Sequence, residues 1–186
     1  MSQGRFIALL DIERGDRVET TLKFMKELKG CEEAYFCLGE HDILAEVSFD
    51  ANKSRDSIIE AFIESLDTYN LTQNLNHIHY LMLDTKESFV KPKEGRRIVY
   101  SFITTKYGLT PKAVENIKEI AKVNEAQKSE KVSLVAYPCF GLCDVVVRIE
   151  GETMDHIEKL LVEDIIAKNY VRNSSSALVF KECKDE

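Results

Sequence analysis

Hydrophobic residues recur with two different spacings in the first half of this chain. Alternating apolar residues are typical of strands, and apolar residues spaced three and four apart are typical of helices. A glycine three residues before an aspartate, Gly39 to Asp42, separates two of the predicted strands. The predicted order is β-α-β-β-α-β, with strand 6–12, helix 18–28, strand 34–37, a strand after Asp42, helix 58–66 and strand 78–83.

The second half repeats this order. Its own glycine and aspartate, Gly141 and Asp144, lie between the third and fourth of its predicted elements, as Gly39 and Asp42 do in the first half. Such a repeat indicates an internal duplication. The predicted elements are strand 98–103, helix 114–121, strand 132–137, strand 145–149, helix 157–165 and strand 177–180.

A β-α-β-β-α-β unit forms a four-stranded antiparallel sheet with both helices on one face, the ferredoxin-like arrangement. The first strand is apolar on both sides, with Phe6, Ala8 and Leu10 on one and Ile7 and Leu9 on the other. The face without helices therefore needs cover, and the sheet of the other copy is the nearest candidate. We predict an α+β fold of two tandem ferredoxin-like modules, 1–84 and 97–186, joined by a linker, 85–96, with their sheets paired as an intramolecular dimeric α/β barrel.

Local signals mark several element ends. Asp16 with Glu19, Thr110 before Pro111, and Thr153 are candidate helix caps, and Gly30 lies where the first helix should stop. The second copy is longer before its glycine, so 124–131 is predicted to be extra helix or an insertion.

Composition argues against several classes of protein. The net charge of −7 disfavours specific duplex DNA binding, and the basic residues of the predicted linker are read as solvated rather than as a nucleic-acid stripe. Five cysteines at irregular spacing argue for reduced thiols, and no apolar stretch has the length of a membrane span. We therefore expect a cytoplasmic protein without a membrane partner.

The paired motif, Gly39-x-x-Asp42 and Gly141-x-x-Asp144 each followed by an apolar strand, resembles the effector-binding domain of the Lrp/AsnC transcription regulators. The resemblance implies a non-catalytic sensing or interaction protein that binds a small effector, an amino acid, and self-associates or pairs with related regulators. It implies ligand binding by Gly39, His41, Asp42, Gly141 and Asp144. Only about four residues precede the first predicted strand, so we expect no DNA reading through the family's helix-turn-helix. Cys143 departs from the family pattern that His41 keeps.

Two other interpretations of the same residues remain open. The glycines can supply positive φ in a turn and the aspartates can bond turn amides, which is a purely structural role. No cofactor is predicted, but Cys37, His41, Cys139 and Cys143 have donor types suited to zinc if the two turns meet. His77 and His79 share a face of the fourth strand, as packing or surface residues or as ligands of a metal or heme.

The alternative function is a small enzyme or a heme- or metal-binding protein of the dimeric α/β-barrel class. Such barrels host oxygenases, heme enzymes and decarboxylases that use a pocket between sheet and helices. The sequence contains no phosphate-binding glycine loop, no Gly-x-Ser-x-Gly elbow and no His-Glu-x-x-His pair, so no catalytic residue is predicted.

Overall fold

The computed structural model describes residues 3–13, 18–85, 89–126 and 132–180. Every predicted helix and strand is present, in the predicted order, and the fold is confirmed as α+β with eight strands in antiparallel pairing and four helices. Asp16 and residues 127–131, which carry two of the local predictions, lie outside the described residues. In chain order the elements are β1 Gln3–Ile12, α1 Val18–Glu27, β2 Cys31–Leu38, β3 Ile43–Asp50, α2 Arg55–Thr68, β4 Leu75–Leu83, β5 Arg97–Thr105, α3 Thr110–Ala126, β6 Val132–Phe140, β7 Val145–Gly151, α4 Met154–Lys159 and β8 Val171–Phe180.

The chain divides into two compact units, one ending at Phe89 and rejoined by Phe180, the other spanning Val90–Val179. In the first unit β1 pairs with both β3 and β4, and β2 pairs with β3, so the strand order is β4-β1-β3-β2. Side chains on one face of this sheet pack with α1 and α2 into an apolar core. The core contains Phe6, Ala8, Leu10, Val18, Leu22, Met25, Ile43, Ala45, Ile58, Phe62 and Leu66.

The second unit repeats this pairing. β5 pairs with β7 and β8, and β6 pairs with β7, which gives the order β8-β5-β7-β6. Its core joins the sheet to α3 and α4. After Lys159 the fourth helix continues in a wider π-helical form, Leu160–Ile166, a change that the apolar spacing did not predict.

Both faces of β1 are buried, as its two-sided apolar pattern predicted. Ile7 and Leu9 are as inaccessible as Phe6 and Leu10, although only the latter two belong to the core with the helices. Within the described residues, no helix has the length and apolarity needed to cross a membrane.

Equivalent caps begin the second helix of each unit. The Ser54 hydroxyl accepts a hydrogen bond from the Ser57 N–H, and the Thr153 hydroxyl accepts one from the His156 N–H, which confirms the predicted cap at Thr153. Gly30 follows α1 with φ of +91°, so the predicted stop is also confirmed. Thr110 shares a 2.8 Å hydrogen bond with the Thr105 hydroxyl.

Candidate functional site

The two predicted aspartates hold a hairpin against the end of the neighbouring strand. In the first unit an Asp42 carboxylate oxygen accepts the Ile12 N–H at 2.7 Å, and the Asp42 N–H donates to the Leu10 carbonyl at 3.0 Å. In the second unit Asp144 makes the same two bonds, to the Thr105 N–H and the Ile103 carbonyl, and also accepts the Thr105 hydroxyl at 3.1 Å. These bonds explain why aspartate recurs in both copies.

The paired glycines serve the same hairpins. Gly141 has φ of +144°, in a region that residues with a Cβ rarely adopt, and Gly39 has φ of +157°. The motif is therefore explained by hairpin geometry. Ligand binding by Gly39, His41, Asp42, Gly141 and Asp144 stays a prediction.

Asp42 brings its neighbour His41 close to two other polar side chains of the first unit. The His41 Nδ1 lies 2.8 Å from an Asp11 carboxylate oxygen, and the His41 and His79 rings are 5.4 Å apart. Candidate ligand atoms of all three residues lie within 4.8 Å of one another, and all three side chains are half-buried. We call Asp11, His41 and His79 the histidine cluster.

Strand register explains why these residues meet. Leu9 lies opposite His79 in the β1–β4 pair, and Asp11 lies opposite His77, so Asp11 and His79 are diagonal neighbours. They share the sheet face away from the helices, because Leu10 and Ile78 belong to the helix-side core. Sequence reasoning found His41 and His79 separately but missed Asp11, since only the register links it to them.

The second unit does not repeat the histidine cluster. Asp42 bonds to the N–H of Ile12 and Asp144 to that of Thr105, so Ile12 and Thr105 are equivalent positions of the two units. Thr104 therefore corresponds to Asp11, and Cys143 corresponds to His41. Phe102, the counterpart of Leu9, lies opposite Ser175, which therefore replaces His79. Within the described residues, the histidine cluster is the only group of three or more such donors within ligand distance.

Two cysteines of the candidate zinc set, Cys37 and Cys139, have raised pKa values. Burial raises the pKa of Cys37 to about 12, and the hydrogen bond with Cys143, followed by burial, raises the pKa of Cys139. The Cys139 and Cys143 sulfurs lie 3.4 Å apart, while His41 bonds to Asp11. Metal binding by Cys37, His41, Cys139 and Cys143 together stays an untested alternative to the prediction that no metal is bound.

A pocket of about 550 Å³ lies in the first unit between its sheet and α2. Three phenylalanines from β1, β3 and α2 line it. The Phe6 ring meets the Phe62 ring edge-on at 5.3 Å and lies 5.9 Å from the Phe49 ring. Val47, Ile58 and Ala61 add apolar surface. This lining suits a flat aromatic molecule, because aromatic rings favour edge-to-face and offset contacts.

The lining of the first-unit pocket also includes charged and polar residues. Lys29 and Lys53 bring positive charge and Asp50 brings one negative charge, which leaves a net positive charge, and all three are exposed. Ser48 holds the turn after α1 beside β3, because its N–H donates to the Gly30 carbonyl at 2.8 Å. A lining with apolar rings and exposed ammonium groups favours a ligand that is aromatic at one end and anionic at the other.

The corresponding positions of the second unit carry different residues. The matching registers and helix caps put Val99, Gly151 and Leu161 where the first unit has Phe6, Phe49 and Phe62. Leu160 replaces Ala61, and it is buried whereas Ala61 is exposed. The aromatic lining is therefore specific to the first unit. Sequence periodicity did not distinguish these phenylalanines from ordinary core residues.

Comparison with known proteins identifies the fold. No family model matches the chain, and no curated protein matches it. Among solved structures it is similar to a proposed monooxygenase from Lactobacillus acidophilus NCFM, with 10% identity, a TM-score of 0.60 and coverage of 97% of this chain and 94% of that one. A chlorite dismutase variant from Candidatus Nitrospira defluvii has 12% identity, a TM-score of 0.61 and coverage of 96% and 92%. A heme-binding protein from Thermus thermophilus has 12% identity, a TM-score of 0.57 and coverage of 97% and 92%.

These neighbours overturn the family resemblance. They are proteins with a dimeric α/β-barrel type of fold, and none of them is an Lrp/AsnC effector-binding domain. The expectation of an Lrp/AsnC-type regulatory sensor was therefore wrong. The hairpins show why the motif was misleading: Gly-x-x-Asp braces a hairpin against a strand end, so hairpin geometry alone accounts for the residues on which the resemblance rested.

Proposed function

We propose that this chain is a small enzyme of the dimeric α/β-barrel class, which binds a planar aromatic molecule in the first-unit pocket and oxidises it with molecular oxygen. The observation that carries the proposal is the set of Phe6, Phe49 and Phe62 rings lining an open pocket of about 550 Å³. Two structural neighbours, described as a proposed monooxygenase and an anthrone oxidase-like protein, support the choice of oxidation.

The same proposal takes each unit as a ferredoxin-like module. The strand orders β4-β1-β3-β2 and β8-β5-β7-β6, with two helices following the β-α-β-β-α-β order, support this description. The whole-length similarity to the neighbours supports a barrel built from both modules.

Each part of the pocket has a separate role in the proposed reaction. The partly exposed Phe49 ring contacts the flat face of the substrate, and the buried Phe6 and Phe62 rings pack behind it and exclude water. The ammonium groups of Lys29 and Lys53 stabilise the anion that forms when the substrate loses a proton before it meets oxygen.

Heme does not fit this pocket. Its lining residues include no histidine, cysteine, methionine or tyrosine, so the usual axial ligands of heme iron are missing from the described lining. The proposed reaction therefore involves no heme.

Anthrone provides a direct test of this function. Its oxidation to anthraquinone uses one O₂: one oxygen atom becomes the new carbonyl, and the other leaves as water with the two hydrogens of the methylene carbon. We expect purified protein to accelerate this conversion above the rate in buffer, followed by absorbance and product analysis.

Two variants of α2 connect that activity to the pocket. Ala61→Phe places a ring inside the pocket from an exposed position and should lower the rate at least about tenfold. Glu64→Phe adds the same ring to α2 at an exposed position that does not line the pocket, and should keep the parent rate. No acceleration over buffer, or equal rates for the parent and Ala61→Phe, would contradict the proposed function.

A further inference from the structure

We propose that the histidine cluster, Asp11, His41 and His79, is a binding site for a divalent first-row transition metal. The proposal is independent of the pocket: the cluster lies on the sheet face away from the helices, and the pocket lies between sheet and helices. It also lies near the other end of β1, since Gln3 and Phe6 border the pocket and Asp11 is almost the last residue of the strand.

The geometry of the cluster is close to that of a ligand shell. Two neighbouring ligands about 2.1 Å from a metal are themselves about 3.0 Å apart in an octahedral shell and about 3.4 Å apart in a tetrahedral one. The Nδ1 of His41 and the Oδ1 of Asp11 are 2.8 Å apart, so both already have nearly the octahedral separation. The third donor, on His79, lies within 4.8 Å of the other ligand atoms, which a small side-chain rotation can shorten.

The backbone fixes two of the three ligands in advance. Asp42 clamps the hairpin onto the end of β1 through its bonds to Ile12 and Leu10, and this places His41 beside Asp11. Asp42 is thus a positioning residue for the site. A ligand shell that is held before the metal arrives loses little side-chain entropy on binding.

The donor types select the class of metal. Two imidazoles and one carboxylate suit zinc, iron(II), cobalt(II) and nickel(II) better than calcium or magnesium, which prefer oxygen ligands. Three protein ligands also leave at least one coordination position for water or a substrate, as in catalytic rather than structural sites. The His41 and Asp11 side chains are 11% and 24% exposed, so solvent reaches the site.

The difference between the two units supports a metal-binding role for the histidine cluster. Thr104, Cys143 and Ser175 occupy the corresponding positions, so the bracing aspartate was kept in both copies while the ligand set occurs in one. The brace therefore does not require the histidines. If His41 served only to bond Asp11, the nearby position of His79 would have no explanation, whereas a metal site accounts for both histidines.

Cobalt(II) titration of chelator-treated, reduced protein tests the site. We expect one cobalt ion per chain by calorimetry, with visible d–d bands and without the near-ultraviolet band of thiolate ligation. His41→Ala and His79→Ala should each weaken cobalt affinity more than about 100-fold, because loss of a direct ligand exceeds the 10- to 100-fold effect of losing its supporting contacts.

Two control variants separate this site from general histidine or surface effects. His156→Ala removes a histidine from α4, and Ser175→Ala changes the counterpart of His79; both should bind cobalt like the parent. His79→Gln, which keeps a polar side chain, serves if the alanine variant does not fold. The proposal is overturned if the parent binds no cobalt, if the variants of His41 and His79 bind as tightly as the parent, or if thiolate bands accompany binding.

Discussion

At the scale of single residues, the aspartates of the two hairpins are explained by the hydrogen bonds they accept. Asp144 accepts two from Thr105, and Asp42 accepts one from Ile12. Hydrogen bonds to a charged group contribute about 1.5–3 kcal/mol each, and partial exposure of these side chains lowers that figure. The aspartates are therefore local determinants of stability, which is the structural interpretation that the sequence had left open.

Replacing Asp144 tests this role. Asp144→Ala removes both bonds and should lower the free energy of unfolding by about 2 kcal/mol, whereas Asp144→Asn keeps an acceptor oxygen and should cost less than about 1 kcal/mol. Urea denaturation measures both. Equal, negligible losses in the two variants would show that the bonds to Thr105 do not stabilise the fold.

The buried Cys37 thiol leads to a prediction about how stability depends on pH. Burial raises the pKa of Cys37 to about 12 from an ordinary value of 9.0. Above pH 9 the unfolded chain therefore releases a proton that the folded chain keeps, so stability falls as pH rises from about 9 toward 12. Between pH 8 and 10 the loss from this thiol is about 1 kcal/mol.

Cys37→Ala should remove that part of the pH dependence. Each protein is compared with itself at pH 8 and pH 10 by urea denaturation, so the packing lost with the side chain cancels. The variant should lose about 1 kcal/mol less than the parent over this interval. Identical losses would mean that Cys37 ionises in the folded protein as readily as in the unfolded chain.

At the scale of elements, periodicity predicted the eight strands and four α-helices of the described residues, because each buries at least one regular stripe or face. It missed the short 3₁₀ helix Thr72–Asn74. It did not predict the π-helical Leu160–Ile166, since apolar residues at Leu160, Leu161 and Ile165 satisfy an α-helical spacing equally well. It also could not connect Asp11 with His79. Their proximity depends on the β1–β4 register, which is set by pairing across more than sixty residues.

The turn after α1 offers a test at this scale. Gly30 has φ of +91°, and a Cβ there would lie 2.6 Å from the Ser48 carbonyl oxygen. Gly95 also has positive φ, +74°, but a Cβ there would meet nothing within 4 Å. The two glycines thus separate the cost of the backbone conformation from the cost of a clash.

Gly95→Ala should lower the free energy of unfolding by about 1 kcal/mol, the cost of a left-handed conformation. Gly30→Ala should cost at least about 1 kcal/mol more, because the Ser48 backbone must move. Urea denaturation compares the two. Equal losses would show that β3 yields to the added methyl group without strain.

At the scale of the whole molecule, the two halves keep one architecture and differ in chemistry. Both retain the strand pairing, the bracing aspartate and the helix cap, whereas the aromatic pocket and the histidine cluster belong to the first unit. Duplication explains the shared features, and divergence explains the others. The family resemblance failed because it rested on features that both copies need for folding.

Titration of ¹⁵N-labelled protein with naphthalene-2-carboxylate, a flat aromatic anion, tests the proposed pocket most directly. We expect the largest amide shifts in the first unit, at Gly30, Ser48, Asp50 and Ser65. The second-unit counterparts of the last three, Glu150, Glu152 and Asp164, should change little. The neutral alcohol, 2-naphthylmethanol, should bind more weakly because Lys29 and Lys53 attract the carboxylate. Absence of shifts in the first unit, or larger shifts in the second, would contradict a first-unit site for planar aromatic ligands.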